Sequence, residues 1–230
     1  MPDEDLVETM RRLSKALTPR ALDDTLRNIT AAAVDLLPDV QYASITLLHE
    51  EDGRLETIAP THDLLLPLDA AQYELRQGPC YQAAVDTVHV ISPDLAADQR
   101  FPKYAAVAVA AGIRAQAGLR LFDAPKANAA LNLYALDVGA FTNFDTLAAL
   151  FAHQSAMALE YAREIDNLEE ALRTRTTIGQ AVGIVMERYK LTEQRAFAFL
   201  ARLSQTSNVK LRRISEEVVE QVERQSNELK

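Results

Sequence analysis

Residues 144–178 contain neither glycine nor proline, and within them Leu147, Leu150, Phe151, Met157, Ala158, Tyr161, Ile165, Leu168 and Leu172 recur at steps of three and four. That period belongs to a helix and not to a strand, so the stretch predicts one long helix with Thr142 or Asn143 as its N-cap. Tyr161, Ile165, Leu168 and Leu172 alternate steps of four and three, the a/d rhythm of a two-stranded coiled coil. The seam is short, and a helix packed on its own domain shows similar spacing, so a dimer seam and an intramolecular face both stand. A helix of this length divides the chain into an N-terminal and a C-terminal part.

The N-terminal part mixes both periods. Residues 6–37 carry helical spacing broken at Thr18-Pro19. Residues 42–48 are β-rich, and Glu51-Asp52-Gly53 supplies a turn before a second strand at 54–59, an antiparallel hairpin. Residues 60–102 are irregular, punctuated by Gly78-Pro79 and Ser92-Pro93, with a short helix at 80–85 and a strand at 88–91. A helix at 105–111 ends at Gly112, and strands come next at 113–122 and 129–136. This order predicts an α+β fold with a mainly antiparallel sheet flanked by helices.

Two shorter helices come after the long one. Thr192 caps the first, which is expected to bury Ala196, Phe197, Leu200 and Leu203. The second starts near Ser207-Asn208 and is expected to bury Val209, Leu211, Ile214, Val218 and Val219. Three helices thus end the chain.

Charge marks the same division. The net charge is −9, yet residues 171–213 hold nine basic residues against two acidic ones, while the first 170 residues carry −13. An acidic protein repels nucleic acid as a whole, but a local basic block attracts it. No apolar stretch is long enough to cross a bilayer, the start of the chain is acidic, and the single cysteine, Cys80, makes no internal disulfide; a cytoplasmic location fits. The four histidines show no metal-ligand spacing, and no phosphate-cradling glycine loop, Gly-x-Ser-x-Gly elbow or His-Glu-x-x-His pair is present. No catalytic residue and no metal site is expected, and Cys80 reads as a small buried hydrophobe.

Within the basic block, Gly183 on a helix costs about 1 kcal/mol relative to alanine, which suggests that another helix packs closely there; Ala181 and Ala196 allow the same approach. Lys210, Arg212 and Arg213 lie at the start of the last helix, where cations oppose its dipole, and Arg188 with Lys190 lies at the preceding bend. An anionic partner explains these charges better than helix stability does. Ser204, Gln205 and Asn208 offer hydrogen bonds to base edges of an exposed RNA loop, with ordinary capping as the alternative for Asn208.

The blocks Ile178-Gly-Gln-Ala-Val-Gly-Ile-Val-Met-Glu-Arg, Glu193-Gln-Arg-Ala-Phe-Ala-Phe-Leu and Ser204-Gln-Thr-Ser-Asn-Val-Lys-Leu-Arg-Arg-Ile-Ser resemble the ANTAR domain of bacterial transcription antiterminators in order and spacing. The resemblance implies a three-helix RNA-binding module that stabilises paired short-looped hairpins and so prevents a terminator, with Ala181, Gly183, Ala196 and Leu200 in its helix packing. Many members carry a lysine where this chain has Val182.

Gly78-Pro-Cys-Tyr-Gln-Ala, Val90-Ile-Ser-Pro-Asp-Leu-Ala-Ala-Asp-Gln-Arg-Phe-Pro and Ala130-Leu-Asn-Leu-Tyr resemble a GAF domain. That resemblance implies a six-stranded antiparallel sheet with helices on both faces and a small-molecule pocket beneath the irregular loops. The pairing with an ANTAR module recurs in actinobacterial proteins.

The expected architecture is therefore a GAF-like sensory domain at 1–153 with its core at about 22–153, a long connecting helix at 144–177 and an ANTAR-like RNA-binding domain at 171–230. The expected partners are hairpin RNA, a second copy of the chain and a small-molecule ligand, without a membrane. The alternative is a sensor whose helical tail contacts proteins rather than RNA. A DNA-reading helix-turn-helix is disfavoured by the acidic end of the last helix.

Overall fold

The computed structural model describes residues 3–18, 21–49, 51–85, 89–124, 127–142 and 144–228. Two compact units result, Met1–Arg163 and Glu164–Lys230.

The first unit opens with α1 (Asp3–Ala16) and α2 (Leu22–Leu36), then forms the hairpin of β1 (Tyr42–His49) and β2 (Leu55–Ile58). The hairpin turn forms as its residues require: Gly53 takes φ +69°, its N–H donates to the His49 carbonyl, and the Asp52 carboxylate accepts from the Arg54 N–H. Next come α3 (Leu65–Leu75), α4 (Pro79–Val85), β3 (His89–Ser92), α5 (Pro102–Ala110), β4 (Ala115–Ala124) and β5 (Ala127–Ala135). The strands order as β2-β1-β5-β4-β3, and every neighbour is antiparallel. Five strands are present among the described residues, where the family resemblance implies six. Val88, expected to open the third strand, lies outside the described residues, as does Asn143.

Alternation along the strands sends different chemistry to the two faces. Ala43 and Ile45 of β1, Ala117 and Leu119 of β4, and Leu131 and Leu133 of β5 face α1, α2 and the start of α6 (Asp145–Tyr189), in a core with Leu13, Ile29, Phe151 and Leu159. Ser44, Thr46, Gln116, Asn132 and Tyr134 occupy the alternate positions. The helices α3, α4 and α5 cover that second face and contribute Leu65, Leu68, Cys80, Ala83 and Tyr104 to its core. Gly118 of β4 is needed there: a Cβ would stand 2.4 Å from the Pro79 carbonyl oxygen, so the first turn of α4 rests directly on the strand.

Two local expectations are corrected. Helix α3 falls in the stretch read as irregular. Pro67 sits in its first turn, where proline is tolerated, and two of its four buried positions are the polar Asp69 and Gln72, which erased the apolar period. Thr142 does not cap α6; its hydroxyl donates to the Gly139 carbonyl at 2.6 Å and closes the preceding turn.

In the second unit, the part of α6 from residue 164 onward leads into α7 (Glu193–Ser207) and α8 (Leu211–Glu228). Ala181, Val182, Val185, Ala196, Leu200 and Ile214 form its core, so Val182 is a packing residue here and presents nothing to a phosphate. Phe197 and Leu203, expected inside, are 47% and 41% exposed; the narrow buried stripe of α7 is Ala196 and Leu200. Thr192 takes the N-cap position of α7 without a side-chain hydrogen bond. Asn208 is not a start signal for α8. It is the left-handed C-cap of α7 at φ +53°, with its N–H on the Ser204 carbonyl.

The apolar core of the first unit includes Ala158 at 5% and Leu159 at 1% exposure, beyond residue 153. A fragment ending at Arg163 should therefore unfold in one cooperative urea transition, and Leu159→Ala in it should cost about 2–5 kcal/mol. If fragments ending at 153 and 163 unfold at the same urea concentration, this part of α6 is not in the core.

Candidate nucleic-acid interface and sensory core

The second face of the sheet holds a buried polar network centred on Asp69, a residue that sequence reasoning missed. The Asp69 carboxylate accepts from Ser44 at 2.8 Å and Thr57 at 3.1 Å on one oxygen, and from Tyr134 and Gln72 on the other. Asn132 donates from its amide to Ser44 at 2.9 Å and to Thr46 at 2.8 Å; the Tyr73 hydroxyl bonds Thr46 and Thr57. Each hydroxyl has one proton, so the directions are fixed. One chain runs from Asn132 through Ser44 to Asp69, and a second runs from Asn132 through Thr46, Tyr73 and Thr57 to the same oxygen. Every proton points toward the carboxylate. Asn132 Oδ1 is buried with no hydrogen-bond partner among the described residues.

The neighbours extend this network. Gln72 accepts from the Cys80 N–H, Gln116 donates to the Cys80 sulfur, and Tyr104 donates to Gln116 at 2.7 Å. Gly78 is required beside it, because at φ +126° a Cβ would collide with the Gln72 side chain at 2.2 Å. Burial lifts the Asp69 pKa to about 6 against the pull of its four donors, and burial together with the Asp69 charge pushes the Cys80 thiol far above its ordinary value. Cys80 is thus buried and stays a thiol. The space between the sheet and α3 to α5, where the resemblance implied a ligand pocket, is taken by these side chains. An open cleft of about 860 Å³ lies instead between α2 and the β1–β2 hairpin, lined by Asp23, Arg27, Thr30, Tyr42, Ile58 and Thr61 among others.

In the helical unit the expected RNA residues separate into two groups. Arg188 and Lys190 stand at the α6–α7 corner, where Lys190 adopts φ +51°; Ser204, Gln205, Asn208, Lys210, Arg212 and Arg213 surround the α7–α8 corner. The fifteen residues of α7 between the corners span roughly 22 Å at 1.5 Å each. Their states differ. Ser204 is structural, since its hydroxyl donates to the Val209 carbonyl at 2.6 Å. Arg212 pairs with Glu170 and Glu216, Arg213 with Glu216, and Lys190 with Glu187. Gln205, Asn208 and Lys210 are exposed, and their side chains have no partner among the described residues.

The packing residues divide similarly. Ala181, Ala196 and Leu200 are fully buried, but Gly183 is exposed and a Cβ there would meet nothing within 4 Å, so no helix among the described residues needs its missing side chain. Along α6, Tyr161, Ile165, Leu168 and Leu172 are 51%, 39%, 59% and 63% exposed; none of them serves an intramolecular core.

The chain thus comprises an antiparallel sheet with helices on both faces, joined in sequence to a three-helix unit with basic corners. The GAF domain profile matches residues 19–160, and the chain belongs to that family; residues 166–219 match the ANTAR domain, giving a GAF plus ANTAR architecture. These are domains of regulation and antitermination. The solved structures with similar folds include free methionine-R-sulfoxide reductase of Neisseria meningitidis, at 16% identity over 72% of this chain and 95% of that one, with a TM-score of 0.56. The GAF domain of a Coxiella burnetii phosphoenolpyruvate-protein phosphotransferase matches at 12% identity over 73% and 99%, with a TM-score of 0.54. The N-acylhomoserine lactone-dependent LuxR family factor CepR2 of Burkholderia cenocepacia matches at 15% identity over 70% and 98%, with a TM-score of 0.53. These likenesses concern the fold. No curated protein sequence matches the chain. No helix among the described residues is long and apolar enough to cross a membrane.

The raised Asp69 pKa has a measurable consequence. Between its unfolded value near 3.8 and its folded value of about 6, the native state binds more protons than the unfolded state, so stability falls as pH rises through that window. Relative to an Asp69→Asn variant, the parent should lose roughly 2 kcal/mol between pH 4 and pH 7, read from urea unfolding at each pH. A difference that stays constant with pH would show that this carboxyl does not titrate there.

Proposed function

We propose that the chain is a cytoplasmic, signal-responsive antiterminator: a dimer whose GAF domain senses a small molecule and whose ANTAR modules bind and stabilise paired hairpins in nascent RNA. The observation that carries this reading is the architecture itself, a sensory domain and an RNA-binding antitermination domain that share one helix, α6. Change in the first domain has a continuous element through which to reach the second. The exposed row Tyr161, Ile165, Leu168 and Leu172 supports pairing with a second α6, because four large apolar side chains at a/d spacing have no other cover.

Ile165→Glu with Leu168→Glu should give a folded monomer by light scattering, since each charge would lose its water in a paired seam. An unchanged dimer would place the interface elsewhere.

RNA binding is tested by salt. Hairpin affinity should fall steeply with salt, and Arg213→Ala should reduce that slope by about one unit and weaken all hairpins alike. Gln205→Ala should leave the slope intact and narrow the gap between preferred and altered loops by about 1 kcal/mol. If Lys210, Arg212 and Arg213 are all replaced by alanine and the folded protein binds hairpins as tightly as the parent, this corner is not the RNA site. A protein partner in place of RNA would show as hairpin binding that is weak and insensitive to salt.

A further inference from the structure

Helix α7 carries a second surface that none of the expected RNA residues occupies. Arg195, Phe199 and Arg202 recur at steps of four and three, so they share one narrow face of the helix, to the side of the buried Ala196 and Leu200. Phe199 is 46% exposed, and it packs against Tyr189, 55% exposed, with ring centroids 5.8 Å apart and tilted by 42°. Neither ring serves the core of the unit. Both arginines are exposed, and unlike Lys190, Arg212 and Arg213 they have no ion pair among the described residues. The row runs along α7 between the two corners, from Tyr189 beside Lys190 to Arg202 one turn before Gln205.

Exposed rings between uncompensated guanidinium groups suit one kind of occupant. An apolar protein surface would cover the rings but leave two cations facing it without partners. A nucleic-acid loop answers both needs, because every unpaired base has a face that stacks on an aromatic ring and is flanked by phosphates on either side. We propose that Tyr189 and Phe199 form a stacking platform for an unpaired base of the RNA loop, with Arg195 and Arg202 holding the phosphates that flank it. This rests on the RNA reading above and gives it a second contact class, sequence-tolerant stacking, beside the directional bonds offered by Gln205 and Asn208.

The test uses the full chain and a pool of stem-loop RNAs with one fixed stem and a randomised loop. From the stem-loops the parent enriches, one is remade with a single abasic position at each loop site in turn. Phe199→Ala and Tyr189→Ala should each weaken binding on the order of tenfold, with the salt slope unchanged, and Phe199→Trp should retain affinity. Arg195→Ala and Arg202→Ala should each lower the salt slope by about one. At one loop site the abasic change should weaken the parent as Phe199→Ala does, and should cost nothing further in that variant. Phe199→Leu, which keeps an apolar side chain, should show the same loss with unchanged helical content.

If the parent enriches no stem-loop, the RNA reading falls and takes the platform with it. If the parent binds and Phe199→Ala binds equally well, or loses the same affinity for a loopless duplex, only the platform is overturned. It is equally overturned if Phe199→Ala converts a dimer to a monomer, because the face would then join two copies of the chain.

Discussion

A carboxyl group removed from water must be held by donors, and the first domain is organised around meeting that demand for Asp69. The sheet supplies Ser44, Thr57 and Tyr134, while α3 supplies Asp69 itself and Gln72. The network therefore fixes the helix to three strands by direction as well as by area. A purely apolar interface would tolerate a small slide of α3 along the sheet; two donor chains converging on one oxygen do not, because each bond weakens steeply with misalignment. The opposite face, built from leucine, isoleucine, alanine and phenylalanine, sets the bulk of the core and leaves such fine placement to the polar side.

How far the sequence discloses this arrangement depends on whether a residue's type agrees with its environment. The long helix, the hairpin at Gly53 and the late strands were legible because Leu147, Phe151, Ile45 and Leu131 are apolar and inward-facing. Helix α3 was not, because Asp69 and Gln72 are polar and inward-facing, and a pattern that equates polar with exposed reads them backwards. The spacing of Leu65, Leu68, Asp69 and Gln72 is helical once polar residues are admitted as core candidates. The opposite error touched α7, where Phe197 and Leu203 are apolar yet largely exposed. The basic corners were legible from charge, and their separation followed from the helix read between Thr192 and Ser207, which the structure places at Glu193–Ser207.

The helical unit economises on burial. Its core rests on a few small and medium side chains, with Ala181 and Ala196 letting the helices approach. Left-handed caps at Lys190 and Asn208 turn the chain sharply without glycine, which narrows the range of unfolded conformations more than glycine would. Much of the surface of α7 is thereby left available for contact, and its exposed face combines rings, guanidinium groups and amides.

The pairing of Arg212 with Glu170 and Glu216 reaches beyond fold stability. If RNA binds here as proposed, a phosphate arriving at this corner meets a cation already paired, so it must exchange places with a tethered carboxylate rather than fill an empty seat. One isolated phosphate gains little by that exchange, because the displaced acid stays nearby as a competitor at fixed local concentration. A ligand that engages several groups at once spreads the loss over many contacts. In that reading the internal acids would set a threshold that favours a partner engaging the whole surface over a lone phosphate.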